Sequence, residues 1–358
     1  MQEKSENPHP AEGSIKKQPF FKRKIFLISM LSLVVVAAAC LIFIVPVFYS
    51  RAEQDVIIKI PANADKKNVG DSLTKYLGKS YSSLVMRAST FNRTDYSERH
   101  GAYKISKGMS PFRAERKLSK GAQQPVKITV NSFRTPGILA EKLAAKLDFT
   151  PDSLLKAMRD PAILETYGIK PEEAMVLFPD ATYEVYWNAS PEEVINKTGA
   201  FYKQIWNETR KQKAARLGLT PAEIVTLCSI VDEETNKTDE KGKIGSLYLN
   251  RLRKGMKLQA DPTVKYAVGD FTLRRIKNEH LKKDSPYNTY QVSGLPPGPI
   301  RTTSVQTIDS ILDSPRTEYL YMCAKDDFSG YHSFASSYSE HLKNARLYQR
   351  ALNKRGIK

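Results

Sequence analysis

Thiols and imidazoles are scarce in this chain. Its 358 residues include three cysteines, Cys40, Cys228 and Cys323, and five dispersed histidines. Their spacing fits no zinc site and no HExxH helix, so no metal and no cofactor is expected. A disulfide framework is excluded as well. A single Cys228–Cys323 bridge is compatible with an oxidising compartment, but Cys228 lies on an apolar helix face, which favours separate buried thiols. Acidic residues are also few, 38 against 56 lysines and arginines, for a formal net charge of +18. Nucleic acid is the usual partner of such a charge. Here the cations are scattered along the whole chain without a recognition motif, and nucleic acid is set aside. A diffuse positive field suits an anionic envelope surface or lipid headgroups better.

What is present is otherwise ordinary for a folded protein: 41% hydrophobic and 26% charged residues, with room for two or three domains. Charge is missing altogether from Ile25 to Ser50. A helix needs about 20 apolar residues to cross a bilayer, so residues 25–50 are expected to span it once. Lys16, Lys17, Lys22, Arg23 and Lys24 precede the span. By the positive-inside rule, residues 1–24 are a cytoplasmic tail, disordered by composition, and everything after Arg51 lies outside the cytoplasmic (inner) membrane. A cleaved signal peptide is the rival. Its apolar region is about 7–15 residues long and ends in small side chains, whereas this run ends in Val47-Phe48-Tyr49.

Beyond the span the pattern is mixed α+β. Asp55–Pro61 and Gly101–Ile105 read as strands, Asn68–Leu77 as a helix, and Ser110-Pro111 as a capped helix start. With Val126–Val130 as a further strand, residues 51–131 form a small α/β module without a catalytic constellation. Residues 132–358 form a second, mixed α+β domain, helical up to about Gly218 with loops set by Pro151, Pro161, Pro171 and Pro191. The aromatic stretch Leu177–Trp187 is either the lining of a cleft or a core hairpin.

Thr220-Pro221-Ala222-Glu223 is a capping-box helix start, followed by the apolar stripe Ile224, Leu227, Cys228 and Val231. The helix ends in Asp232-Glu233-Glu234. Its periodicity turns Glu233 away from the stripe, where it is expected to be solvated and its replacement nearly silent. Glu234 continues the buried side beside Leu227, Ile230 and Val231, where lost hydration raises a carboxyl pKa toward that of a general acid. The pattern alone also admits an acidic helix end that merely pairs with Lys237 or Lys241.

The segments that follow decide between these readings. Leu227–Thr235 (LCSIVDEET), Leu249-Asn250-Arg251-Leu252, Met256–Val264 (MKLQADPTV), Ser285–Tyr290 (SPYNTY), Gly294–Ile300 (GLPPGPI) and Gly330–Phe334 (GYHSF) occur in that order. Together they closely resemble the YceG-like family of endolytic murein transglycosylases, over about Leu177 to Leu352. The resemblance implies a membrane-anchored lyase that cuts peptidoglycan strands between N-acetylmuramic acid and N-acetylglucosamine, leaving a 1,6-anhydro end. It implies a LysM-like role, glycan binding or a plain spacer, for the small module. Peptidoglycan synthases become candidate protein partners. The family's essential glutamate, the second acid of a Glu-x-Glu motif, falls on Glu234, and Asp232 stands where the family carries the first. The family's Phe-Pro-Asp-Thr-Tyr stretch is interrupted here by Ala181, so no role is transferred to that loop.

Gln259, Asp261, Thr263, Tyr287, Asn288 and Thr289 are the candidates for binding the sugar. Asn250 and Arg251 are expected to brace the site, and His332 to hold it by hydrogen bonds. Two other functions remain: a non-catalytic peptidoglycan-binding scaffold, and a hydrolase using Asp232 or Asp261 as a second carboxylate.

Overall fold

The computed structural model describes residues 20–356 except 274. Of the expected tail, residues 1–19, with Lys16 and Lys17, lie outside them, whereas residues 20–24 are helical rather than disordered, continuous with the apolar run that follows. The chain divides into two compact units, Met1–Gln123 and Gln124–Lys358.

The first unit opens with α1 (Phe20–Phe43) and the short α2 (Val45–Tyr49). Together they supply one stretch, Arg23–Tyr49, long and apolar enough to cross a membrane. The interruption falls at Ile44, two residues before Pro46, whose ring and missing N–H do not continue a helix. Strands β1 (Val56–Ile60) and β2 (Gly101–Ile105) then pair antiparallel, with α3 (Lys66–Asn92) between them and α4 (Pro111–Ser119) after them. Ile58, Ile60, Val69, Leu73, Val85, Tyr103, Ile105 and Leu118 form the core of this unit. Helix α3 runs well past the expected Leu77. Gly78, at φ 80° and ψ 160°, breaks it, and a second helical segment carries on to Asn92. That segment escaped notice because serines and charged residues dilute its stripe, although Tyr81, Val85 and Ala88 are buried.

In the second unit, β3 (Val126–Val130) pairs antiparallel with β4 (Ala181–Val185). The sequence reading assigned Val126–Val130 to the small module, but its hydrogen-bonding partner lies in the second unit. Stretch 177–187 proves to be core structure rather than a cleft lining, with Phe178, Tyr183, Val185 and Trp187 buried. Between the two strands lie α5 (Pro136–Ala144), α6 (Pro151–Ala157), α7 (Pro161–Glu165) and a 3-10 turn (Pro171–Leu177). Here the prolines open helices rather than set loops. Thr135, Thr150 and Asp160 each cap a backbone N–H, and the following proline fills the first turn, where a missing donor costs nothing.

Next come α8 (Pro191–Ile205), α9 (Glu208–Leu217), α10 (Pro221–Glu234), α11 (Thr238–Arg253), α12 (Asp261–Val268), α13 (Asn278–Leu281) and α14 (Val305–Leu312). The hairpin β5 (Tyr321–Ala324) with β6 (His332–Ala335), and then α15 (Tyr338–Lys354), complete the unit. Helix α10 is its central pillar: every residue from Ile224 to Asp232 is buried.

Segment 294–300 crosses the 3-10 turn in close backbone contact. A Cβ on Gly298 would overlap the Glu172 carbonyl, and neither atom belongs to a flexible side chain. Gly298→Ala is therefore expected to destabilise the second unit by about 1–3 kcal/mol, the usual range for overpacking. A lower midpoint in urea unfolding checks this.

Candidate active site

Helix α10 begins as its sequence implies. The Thr220 hydroxyl accepts from the Glu223 N–H, and the Glu223 carboxylate accepts from the Thr220 N–H. Its other end holds three consecutive carboxyl groups where the helix dipole is least hospitable to them. Each meets a different environment.

Asp232 is buried and accepts from Lys241 Nζ at 2.6 Å, from the Thr307 hydroxyl at 2.7 Å, and from the Thr303 hydroxyl. Glu233 is not solvated. Its carboxylate accepts from Arg134 Nε at 3.0 Å and Nη2 at 2.9 Å, and from Arg301 Nη1 at 2.9 Å. Arg301 also donates to the Asp232 carbonyl, which caps an otherwise open helix end. The helix wheel misled because it assumes one wet face. Arg134 and segment 301–303 cover the side opposite the apolar stripe.

Glu234 has no cation within ion-pair distance among the described residues. Its side chain enters a cavity of about 250 Å³. Tyr248 of α11 donates its hydroxyl to Glu234 Oε1 at 2.7 Å. Burial raises the Glu234 carboxyl from its ordinary value to about 7, and the Asp261 charge adds to the rise. The Tyr248 hydrogen bond and the charges of His332 and Lys265 oppose it. Such a group holds its proton at neutral pH and can still release it.

The cavity walls come from four places: Tyr248 and Arg251 on α11, the 258–261 segment, Tyr290, and the β5–β6 hairpin with Cys323 and His332. Arg251 ties two of them together. Its Nε donates to the Leu320 carbonyl at 2.6 Å, and its Nη1 donates to the carbonyls of Lys257 and Leu258 and to Gln259 Oε1. Asp261 Oδ1 accepts from the Tyr290 hydroxyl at 2.7 Å. His332 is held at Nδ1 by Glu240 Oε2 at 2.9 Å, and its backbone N–H donates to Glu240 Oε1.

The structure thus gathers Gln259, Asp261, Arg251 and His332 around Glu234, and it places the other candidates elsewhere. Thr263 and Thr289 are fully buried and share a hydrogen bond of 2.8 Å, a brace between α12 and the 285–290 turn. Asn288 is buried too, donating to the Leu281 and Lys283 carbonyls. Asn250 donates to the carbonyls of Thr317 and Tyr319 and lines a separate groove. Tyr287 packs on Tyr266, ring centroids 4.6 Å apart, and faces another cavity. Two hydroxyl-bearing residues of the cavity, Tyr248 and Tyr290, are not among the candidates that the sequence offers. Tyr248 lies three residues before Arg251, on the same face of α11, and that spacing is the signal that could have found it. Tyr290 ends the 285–290 segment, of which only Tyr287, Asn288 and Thr289 were singled out.

All three cysteines are free thiols, with Cys228 buried and Cys323 partly buried in the cavity wall, so the Cys228–Cys323 bridge does not form. Among the described residues no group of three or more His, Cys, Asp or Glu could hold a metal ion.

Two stability tests follow from this geometry. Glu233→Gln removes the anion shared by Arg134 and Arg301, and a loss of about 2 kcal/mol is expected, in the range for hydrogen bonds to charged groups. An unchanged urea midpoint would restore the solvated reading. Glu234→Gln acts the other way and depends on pH. A carboxyl whose folded pKa is raised favours the fold fully below its unfolded value, and that advantage fades as pH climbs from about 4.5 through about 7. The variant should therefore match the parent at pH 4 and exceed it at pH 8, by at most about 3 kcal/mol. Thermal melts at the two pH values decide it.

Comparison with known proteins identifies a family. An endolytic murein transglycosylase of Bacillus subtilis is 29% identical over 271 residues, which are 71% of this chain and 74% of that protein. One from Streptococcus pneumoniae is 27% identical over 330 residues, 82% of this chain but only 58% of that protein's length. The crystal structure of a yceG-like protein from Listeria monocytogenes superposes with a TM-score of 0.54 at 25% identity, covering 81% of this chain and 98% of that one. The model of the YceG-like family matches residues 58–347. On that match across most of its length, the chain belongs to the YceG-like family.

Proposed function

We propose that this protein is a membrane-anchored endolytic murein transglycosylase with Glu234 as its general acid and base. The observation that carries the reading is a carboxyl raised to about 7 at the wall of a cavity, without a cation in ion-pair distance among the described residues. The names of the Bacillus and Streptococcus relatives support the substrate.

A glycosidase that adds water uses two carboxylates. One suffices when the sugar supplies its own nucleophile. Glu234 donates its proton to the glycosidic oxygen as the C1–O bond breaks, and the electron pair leaves with that oxygen. The N-acetylmuramic ring is left oxocarbenium-like at C1. The Glu234 carboxylate then takes the proton of the C6 hydroxyl while O6 bonds to C1, closing the 1,6-anhydro ring. Glu234 ends protonated, and no water is consumed. The attack is intramolecular, which gives it a high effective concentration over solvent.

Around this acid, Gln259 and Asp261 are assigned to the sugar's hydroxyl and acetamido groups. Tyr248 and Tyr290 orient the two carboxyl groups, and Arg251 and His332 fix the walls. Thr263, Asn288 and Thr289 support this work from behind the wall. The apolar N-terminal stretch is assigned as an uncleaved anchor with its basic flank in the cytoplasm and both units outside. The first unit is assigned to holding glycan. Trimming or ending nascent strands beside peptidoglycan synthases is the process that such an anchor suits.

Asp261 in the same cavity is the specific observation behind a second reading, hydrolysis with two carboxylates. The products separate the two. Purified glycan strands should yield anhydro ends with the parent protein and none with Glu234→Gln, a loss of at least about 100-fold, as expected for removing a general acid. Reducing muramic ends would identify the hydrolase, and full activity of the variant would refute the assignment. With the parent, turnover should hold at low pH and fall about tenfold per unit above pH 7, since the proton to be donated is then gone.

A further inference from the structure

The Glu234 cavity leaves parts of two singled-out segments unused. Tyr287 of segment 285–290 and Pro299 of segment 294–300 line a second cavity, about 240 Å³, together with Met158, Arg159, Glu172 and Tyr266. One piece of structure, α12 with the 287–290 turn, separates the two cavities. Asp261 and Tyr290 look toward Glu234, while Tyr266 and Tyr287 look toward the second cavity. Tyr266 stands five residues along α12 from Asp261, about 7 Å at the helical rise. The wall is stiff, pinned by the Thr263–Thr289 hydrogen bond and by the Ala260 N–H on Thr289 Oγ1.

We propose that this second cavity binds an N-acetylated pyranose ring of the same glycan strand, away from the bond cut at Glu234. The proposal rests on the glycan-cleaving function proposed above and adds to it a site that the chemistry itself does not require. The lining matches such a ring in three ways. Aromatic faces carry negative charge density toward the C–H bonds of a sugar, and Tyr266 and Tyr287 supply two rings. An acetyl methyl group needs an apolar recess, and Met158 and Pro299 provide one. Hydroxyl and acetamido groups both donate and accept hydrogen bonds. Arg159 offers donors and Glu172 an acceptor, both from the exposed rim. A ligand of one charge would leave one of that pair opposed, and an alkyl chain would use neither. A polymer held at two places along one wall gains more affinity than the cleavage cavity alone can provide.

The test separates the subsite from the chemistry. In the Glu234→Gln background, which is expected to hold strands without turning them over, peptide-free glycan strands and a single disaccharide are titrated in parallel. Arg159→Ala with Glu172→Ala should weaken binding of long strands about tenfold while changing the disaccharide by less than about twofold. Tyr287→Ala should show the same long-strand loss, and Tyr287→Phe, which keeps the ring, should not. Unchanged long-strand affinity overturns the subsite, and so does equal loss on both ligands. Loss confined to strands that carry peptide stems assigns the cavity to peptide and overturns it as well. If the parent protein yields no anhydro ends and the Glu234→Gln protein binds no glycan of any length, the glycan-cleaving reading fails and the subsite falls with it. Intact parental cleavage with any of the other negative results rejects the subsite alone.

Discussion

Three adjacent carboxyl groups at the end of one buried helix set the terms for everything around them. Left ionised together, they would repel one another and oppose the helix dipole. The fold resolves this unevenly. Lys241 and two hydroxyl groups hold Asp232, and Arg134 and Arg301 hold Glu233. Among the described residues Glu234 receives a phenol and no cation. Its carboxyl keeps its proton to near neutral pH. Because the neighbours claim the nearby cations, the same helix end is both anchored and reactive.

The helix alone does not make a site, since a carboxyl of raised pKa in a sealed core would have nothing to act on. Helix α11 opens the space. Tyr248 and Arg251, three residues apart, present one face toward Glu234. The tyrosine orients the acid, and the guanidinium ties segment 257–259 and Leu320, the residue before β5, into place as two walls. Glu240, at the start of the same helix, holds His332 on the other strand of that hairpin. Two cavity walls therefore register against one helix, as a positioned site needs.

How much of this could be read from residues alone depended on whether local pattern or distant packing decided the outcome. The capping box at Thr220, the strands at 56–60 and 101–105 and the burial of Glu234 follow from spacing over a few residues. Gln259, Asp261, Arg251 and His332 stood in short polar segments and do line the cavity. Thr263, Asn288 and Thr289 stood in the same segments and are buried braces, because a polar motif looks alike whether it touches a ligand or supports the loop that does. Tyr248 was hidden as one aromatic residue in an ordinary amphipathic helix. Glu233 was misplaced because periodicity cannot reveal that residues 134 and 301 will cover the far face of α10. Strand Val126–Val130 was grouped with the wrong unit for a related reason: its partner lies some fifty residues onward, and strand pairing at that range is not written in either strand.

A single acid that serves twice places an unusual demand on binding. Protonating the leaving oxygen and later accepting the C6 proton occur at two positions on the sugar, so the ring must stay registered against one carboxyl through both steps. Contacts at the reacting ring alone would have to loosen as its geometry flattens at C1. Contacts made farther along the strand do not change during the reaction, and they can hold register while the reacting ring distorts. The second cavity proposed above supplies contacts of that kind, and Thr263 and Thr289 pin the wall between the two cavities without facing the Glu234 cavity.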